Sequence, residues 1–208
     1  NCGVIKVYYV RDTFGYKVEY YYNNVIDDTL TDNFNALYNE EITTYEDKVK
    51  PGYKLDRAEV PLTVTEVEEN NVIRVYYVTD DAQTKELSYT VEYYKDGVLT
   101  DTEVEKETVQ LLEDDKLAVR KENINMTNKY IGYKFEKVEP ANIPDEVDTG
   151  SVIKVYYVRD IFGYTIEYYY NNVIDDTLTE NKTALYGDKI ETFTNNVKDG
   201  YIQGKVEN

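Results

Sequence analysis

The chain of 208 residues has no histidine and no tryptophan, one cysteine, one methionine, four prolines and ten glycines. Each scarcity removes a class of function. Without histidine there is no Ser-His-Asp or Cys-His catalytic arrangement and no His-ligated metal site. The single thiol, Cys2, forms no internal disulfide and reads as incidental rather than reactive. Serine occurs only at Ser88 and Ser151, neither in a G-x-S-x-G turn. Basic residues are outnumbered, 23 Lys and Arg against 41 Asp and Glu, for a formal charge of −18. That balance argues against nucleic acid and anionic membrane surfaces as partners, since both are bound through basic patches. No apolar run approaches the roughly 18–20 residues of a membrane-spanning helix.

Tyrosine, by contrast, occurs 24 times, and its placement reveals a repeat. "GYKVEYYYNNVIDDTLT" at 15–31 returns as "GYTIEYYYNNVIDDTLT" at 163–179, with a weaker copy, "SYTVEYYKDGVLTDT", at 88–102. A second landmark, "VI(K/R)VYYV", stands at 4–10, 72–78 and 152–158, and a Gly-Tyr pair at 52–53, 132–133 and 200–201. A fixed order of such landmarks marks a tandem array. The reading is: 1–15, the closing strand of a preceding repeat plus a linker; 16–79, repeat 1; 80–87, linker; 88–159, repeat 2; 160–163, linker; 164–208, a third repeat that stops before its closing strand.

Period-two alternation of β-branched and aromatic residues makes both tyrosine-rich landmarks strands. Tyr89, Val91 and Tyr93 share one face; Ile153, Val155 and Tyr157 share one face of their own strand. "LTDTEVEKETVQL" and "PLTVTEVEE" are also strand-compatible, "KDG" at 95–97 is a turn signal, and 111–128 is the place for one short helix. The fold class expected is mostly β (α+β).

If the two landmark strands are neighbours, Tyr21 and Tyr76 share the outer face of repeat 1, and Tyr94 and Tyr156 that of repeat 2. Glu19 then lies near Arg74, and Glu92 near Lys154, as cross-strand pairs. With Tyr169, these tyrosines are the candidate ligand-binding residues, because a phenol offers a flat face and a hydroxyl to a sugar ring. The bland alternative, an ordinary sheet stabilised by aromatic and charged pairs, is favoured over it. The paired aspartates at 27–28, 80–81, 114–115 and 175–176 read as a solvated acidic surface, with calcium sites the disfavoured alternative: neighbours on a strand point to opposite faces, and calcium needs six to eight converging oxygens. No cofactor is expected. A glycosidase needs only two carboxylates, but also a cleft, which modules this small seldom enclose; no enzymatic activity is expected.

The landmarks of repeat 2 (Tyr89, Val91, Tyr93, Asp96-Gly97, Gly132-Tyr133, Val155 and Tyr157) resemble the MucBP (mucin-binding protein) repeat of Gram-positive surface proteins. Repeat 1 is similar but has Asn23-Asn24 at the turn. The resemblance implies β-grasp (ubiquitin-like) modules arranged end to end as a rod, in a cell-wall-attached, extracellular adhesin. In that fold the first and last strands of a module are parallel neighbours. It implies a stalk that projects a binding head; the alternatives are repeats that themselves bind mucin-type glycans or host glycoprotein, or an accessory module of a cell-wall enzyme. The unpaired "VIKVYYV" at 4–10 carries a further expectation, that Ile5, Val7 and Tyr9 pair with Ile166 and Tyr168 of another chain, head to tail. A rival expectation pairs 4–10 with 16–22 of the same chain.

Overall fold

The computed structural model describes residues 3–207; Cys2 lies outside them. The protein is mostly β, 48% strand and 4% helix, and the helix is all in three single 3-10 turns. Among the described residues no helix is long and apolar enough to cross a membrane. The chain forms two units: one holds the residues up to Glu86 with Thr108–Asp114, the other Leu87–Glu107 with the residues from Asp115 on.

In the first unit the strands are β1 (Thr13–Tyr22), β2 (Val25–Ile26), β3 (Asp32–Leu37), β4 (Glu41–Ile42), β5 (Tyr53–Ala58), β6 (Leu62–Thr63) and β7 (Val72–Thr79). The sheet order is β2-β1-β7-β5, with β3 also on β1, and β4 pairs β6 apart from it. The first and last strands are parallel neighbours, with Val18 opposite Ile73, Tyr20 opposite Val75 and Tyr22 opposite Tyr77. These six residues form the buried core cluster; full burial of such side chains stabilises by roughly 1.5–3 kcal/mol each. Asn23 and Asn24 both take positive φ (48° and 65°), the geometry of a two-residue hairpin turn. The outer edge of β1 is occupied along its length, by β3 opposite 13–18 and by β2 opposite 21–22. No place remains there for residues 4–10, which corrects the rival expectation. Those residues form no strand; Ile5 is 89% exposed, Val7 65% and Tyr9 91%.

The second unit repeats the plan with most of β8 (Thr84–Lys95) and β9 (Val98–Gln110), whose residues 84–86 and 108–110 count with the first unit, and with β10 (Lys116–Ala118), β11 (Tyr133–Glu139), β12 (Glu146–Asp148) and β13 (Val152–Arg159). The sheet order is β11-β13-β8-β9, and β10 pairs β12 separately. Again the first and last strands run parallel, with Ile153 opposite Val91 and Val155 opposite Tyr93. Residues 84–87, read from sequence as part of a linker, are the start of β8.

The helix expected over 111–128 is absent. Leu117 and Val119 are buried while Ala118 and Arg120 are exposed, a period of two, and the segment forms β10, one 3-10 turn at Lys121–Asn123 and irregular chain. The α component of the expected fold class falls with it. "PLTVTEVEE" likewise contributes only β6 and a 3-10 turn at Glu68–Asn70.

Irregular chain thus lies against the inner face of both sheets, and this gives the inward tyrosines a role. A helix bonds its own carbonyls internally; a loop does not, and buried backbone groups need partners. Tyrosine hydroxyls at the inner face supply them. Tyr20 donates to the Glu46 carbonyl (2.8 Å) and Tyr22 to that of Lys48 (2.5 Å), while Tyr77 accepts from the Lys48 amide (2.8 Å). In the second unit the amides of Arg120 and Asn125 donate to Tyr89 and Tyr93 (3.1 and 3.3 Å), and Tyr157 donates to the Asn125 carbonyl (2.5 Å).

The same unit continues into β14 (Ile161–Ile166), β15 (Tyr169–Tyr170), β16 (Val173–Ile174) and β17 (Glu180–Leu185). β14 pairs β17, and β15 pairs β16, in the registers of β1 with β3 and β2. The counterpart of β1 is nevertheless broken at Glu167 and Tyr168, and residues 187–207 form no strand.

Candidate functional site: the outward tyrosine ladders

Outward positions of β1 and β7 alternate with the core positions, so Tyr21 and Tyr76 face away from it, directly opposite each other. Their rings stack at 5.0 Å between centroids and 24° between planes. On the far side of β7, a register shift between Leu55 and Arg57 sets Arg57 opposite Tyr76. Its guanidinium carbon lies 3.8 Å from the ring centroid. A bulge that redirects a side chain in this way is a recurrent device of sheets. Beside this row runs a charged one: Arg74 stands between Glu19 (3.6 Å) and Glu59 (3.3 Å), and Lys17 reaches Glu19 at 2.5 Å.

The second unit builds the same ladder. Tyr94 and Tyr156 stack at 4.9 Å and 20°, a register shift between Phe135 and Lys137 places Lys137 opposite Tyr156, and its ammonium lies 4.6 Å from that ring. Glu92 is opposite Lys154, which is opposite Glu139.

Each outward hydroxyl is committed. Tyr21 donates to Glu19 (2.8 Å), Tyr94 to Glu92 (2.6 Å) and Tyr169 to Glu167 (2.6 Å), in each case the residue two before it on the same face. Tyr76 and Tyr156 donate to Glu59 (3.4 Å) and Glu139 (3.0 Å). The hydrogen bond to Glu92, then desolvation and the Glu92 charge, push the Tyr94 hydroxyl up to about 12. For Glu19, desolvation opposes ionisation, but hydrogen bonds from Lys17 and Tyr21 and the charges of Lys17 and Arg74 outweigh it, and its pKa falls.

Sequence reasoning paired Tyr21 with Tyr76 and Tyr94 with Tyr156, and Glu19 with Arg74 and Glu92 with Lys154; the structure brings each pair together. Tyr169 is 58% exposed, with no second ring stacked on it among the described residues. Missed were Arg57 and Lys137 on the third strand, with Glu59 just past its end and Glu139 at its end. The signal was there: a cation and a glutamate stand at fixed distances after each Gly-Tyr pair, and Lys205 and Glu207 hold the same places after Gly200.

The paired aspartates serve turns. Asp27 accepts from the Thr29 amide (3.1 Å) and pairs with Lys50 (2.5 Å); Asp175 accepts from the Thr177 amide (3.1 Å) and pairs with Lys198. Asp80 accepts from Gln83 (3.0 Å), whose own side-chain oxygen accepts from the Gly52 amide (2.9 Å).

No family model matches the chain, and no curated protein matches it. Among solved structures it is similar to the type 2 repeat of the mucus binding protein MUB from Lactobacillus reuteri, at 14% identity and a TM-score of 0.25, over 71% of this chain and 100% of that one.

Proposed function

We propose that this chain is a non-catalytic repeat region of a bacterial cell-surface adhesin, a spacer under tension whose β-grasp-like repeats follow one another as a rod and hold a binding head away from the cell wall. The observation that carries the reading is the parallel central pair of each complete repeat, β1 with β7 and β8 with β13. The chain enters each repeat at the start of one strand and leaves at the end of its neighbour. A pull on the ends loads all hydrogen bonds between the two strands at once, in shear, rather than one at a time. The outer ladders cross the same strands. The resemblance of the repeats to MucBP modules supplies the cellular setting.

The experiment is single-molecule stretching of the 208-residue chain tethered at its termini. The expected record has one high-force event for each complete repeat. Rupture at the low forces typical of unzipped hairpins would sink the reading.

A second reading, binding of mucin-type glycans or host glycoprotein, is favoured by Tyr21 and Tyr94. Their partners Tyr76 and Tyr156 carry a cation 3.8 and 4.6 Å from the ring centroid on the side away from the stack, whereas Tyr21 has the aliphatic Ile26 on that side and the nearest cation to Tyr94, Lys154, stands 5.9 Å off. A glycan array on the chain, repeated with Tyr94→Ala, separates the readings. Signal lost in the variant supports binding, and a blank array leaves the spacer.

A further inference from the structure

Residues 163–179 differ from 15–31 only at Thr165 for Lys17 and Ile166 for Val18, yet the two segments fold differently. β1 is continuous over ten residues. Its counterpart breaks into β14 and β15 with Glu167 and Tyr168 between them. Val18, Tyr20 and Tyr22 are buried; Ile166, Tyr168 and Tyr170 are only half-buried. Contacts on the β3 and β2 side are the same in both copies. The difference lies on the other side: β1 has β7 there, whereas among the described residues 164–170 has no strand there. An open edge of this kind is a template for another strand.

A strand of the right sequence is present in the same chain. Residues 4–10 are identical to 152–158, which form β13, and they lie exposed and without secondary structure.

We propose that residues 4–10 of one copy of this chain insert as a parallel strand beside residues 164–170 of a second copy. The register follows that of β1 with β7: Ile5 opposite Ile166, Val7 opposite Tyr168, Tyr9 opposite Tyr170. Lys6 then meets Glu167, as Arg74 meets Glu19. Tyr8 lies against Tyr169, now the ring without a stacking partner. Beyond the inserted strand, residues 201–207 take the place of β5, which pairs the far side of β7. Lys205 and Glu207 occupy there the positions of Arg57 and Glu59, so the insertion completes a third ladder.

The donor stands only two residues, Arg11 and Asp12, before β1, and the dependence of association on concentration separates a donor on a second copy from one on the same chain. A contact of donor on acceptor leaves a free donor and a free acceptor at the two ends of the pair, so it propagates unless it closes into a ring.

Sedimentation of the 208-residue chain over a concentration series tests this. An open-ended association is expected, with amide protection gained at 164–170. In Val7→Pro it is expected to vanish, because every N–H of a strand with neighbours on both sides has a partner and proline has none. Circular dichroism establishes that both units keep their fold in that variant. Lys6→Glu should weaken association severalfold, and combining it with Glu167→Lys should restore it. A single monomeric species at every concentration would overturn the proposal. So would association that Val7→Pro leaves unchanged, or protection at 164–170 in the dilute monomer that Val7→Pro removes, which would place the strand in its own chain.

Discussion

The guanidinium of Arg57 lies 3.8 Å from the ring centroid of Tyr76, whose other neighbour across the sheet is the stacked ring of Tyr21. Three adjacent strands are tied on their outer face by one row of side chains. Arg57→Ala should therefore destabilise the first unit by about 0.5–1 kcal/mol, the worth of an exposed cation on a ring. Arg57→Lys should recover part of it, since ammonium heads serve at Lys137. Urea denaturation measures both, and an unchanged midpoint in Arg57→Ala would show the contact to be incidental.

Tyr77→Phe tests the hydroxyls that hold the loop over the core. The Tyr77 oxygen accepts from the Lys48 amide at 2.8 Å and donates to Asp47 at 2.5 Å. Phenylalanine keeps the ring and leaves the amide unpaired, at a cost of about 1–3 kcal/mol. The loss should be confined to the first unit, read by amide exchange of its strands against those of the second.

Asn71, fully buried, tests a different tie. Its amide group donates to the carbonyls of Gly15 (3.0 Å) and Thr65 (2.8 Å), and its oxygen accepts from the Thr65 amide (2.9 Å). Asn71→Ala strands three backbone groups, and a loss of about 3 kcal/mol or more is expected in the first unit's denaturation midpoint. Ser151 stands at the corresponding position of the second unit, where the Gly150 amide bonds the Ser88 carbonyl instead (2.7 Å). Ser151→Ala should be close to neutral.

Alkali should unfold the protein. Burial raises the pKa of Tyr20, Tyr77, Tyr93 and Tyr130, reinforced by Asp32, Asp47, Glu103 and Asp101 respectively, and burial with the Glu103 charge pushes Tyr157 up to about 12. In the unfolded chain these groups ionise near pH ~10. Above that pH the unfolded state has released protons that the folded state retains, so stability falls as pH rises; below it the contribution is whole. Melting temperatures should be level from pH ~7 to ~9 and drop beyond pH ~10, with tyrosinate absorbance rising in step with unfolding. A decline already complete by pH ~9 would contradict this assignment.

Gly52→Ala should cost about 1–3 kcal/mol. Gly52 has φ +82°, and an added Cβ would fall 2.5 Å from Leu112 Cδ2, so strain and overlap combine. Gly97 has a similar φ but open space around it, and Gly97→Ala should carry the backbone strain alone, a smaller loss in the same denaturation assay.

The strands and their partners were legible because alternation and repetition are local signals. The pairing of Tyr21 with Tyr76 and of Glu92 with Lys154 follows once two such strands are set side by side. The helix assigned to 111–128 failed because charged residues there suit a helix, while what decides is the period-two burial of Leu117 and Val119 against a sheet formed elsewhere. The break after Ile166 was not legible at all. Its sequence matches that of a continuous strand, and the difference lies in a partner strand distant in sequence. The bulges that bring Arg57 and Lys137 over their rings were hidden likewise, although the fixed offset from each Gly-Tyr pair marked the residues.

The parallel pairing of first and last strands also governs when a repeat can exist. Val18 meets Ile73, more than fifty residues later, and until that final strand has emerged the core has only one wall. Such long-range closure is slow relative to local structure. A chain delivered from its N-terminal end therefore folds in discrete steps, one whole repeat at a time, each waiting on its last few residues.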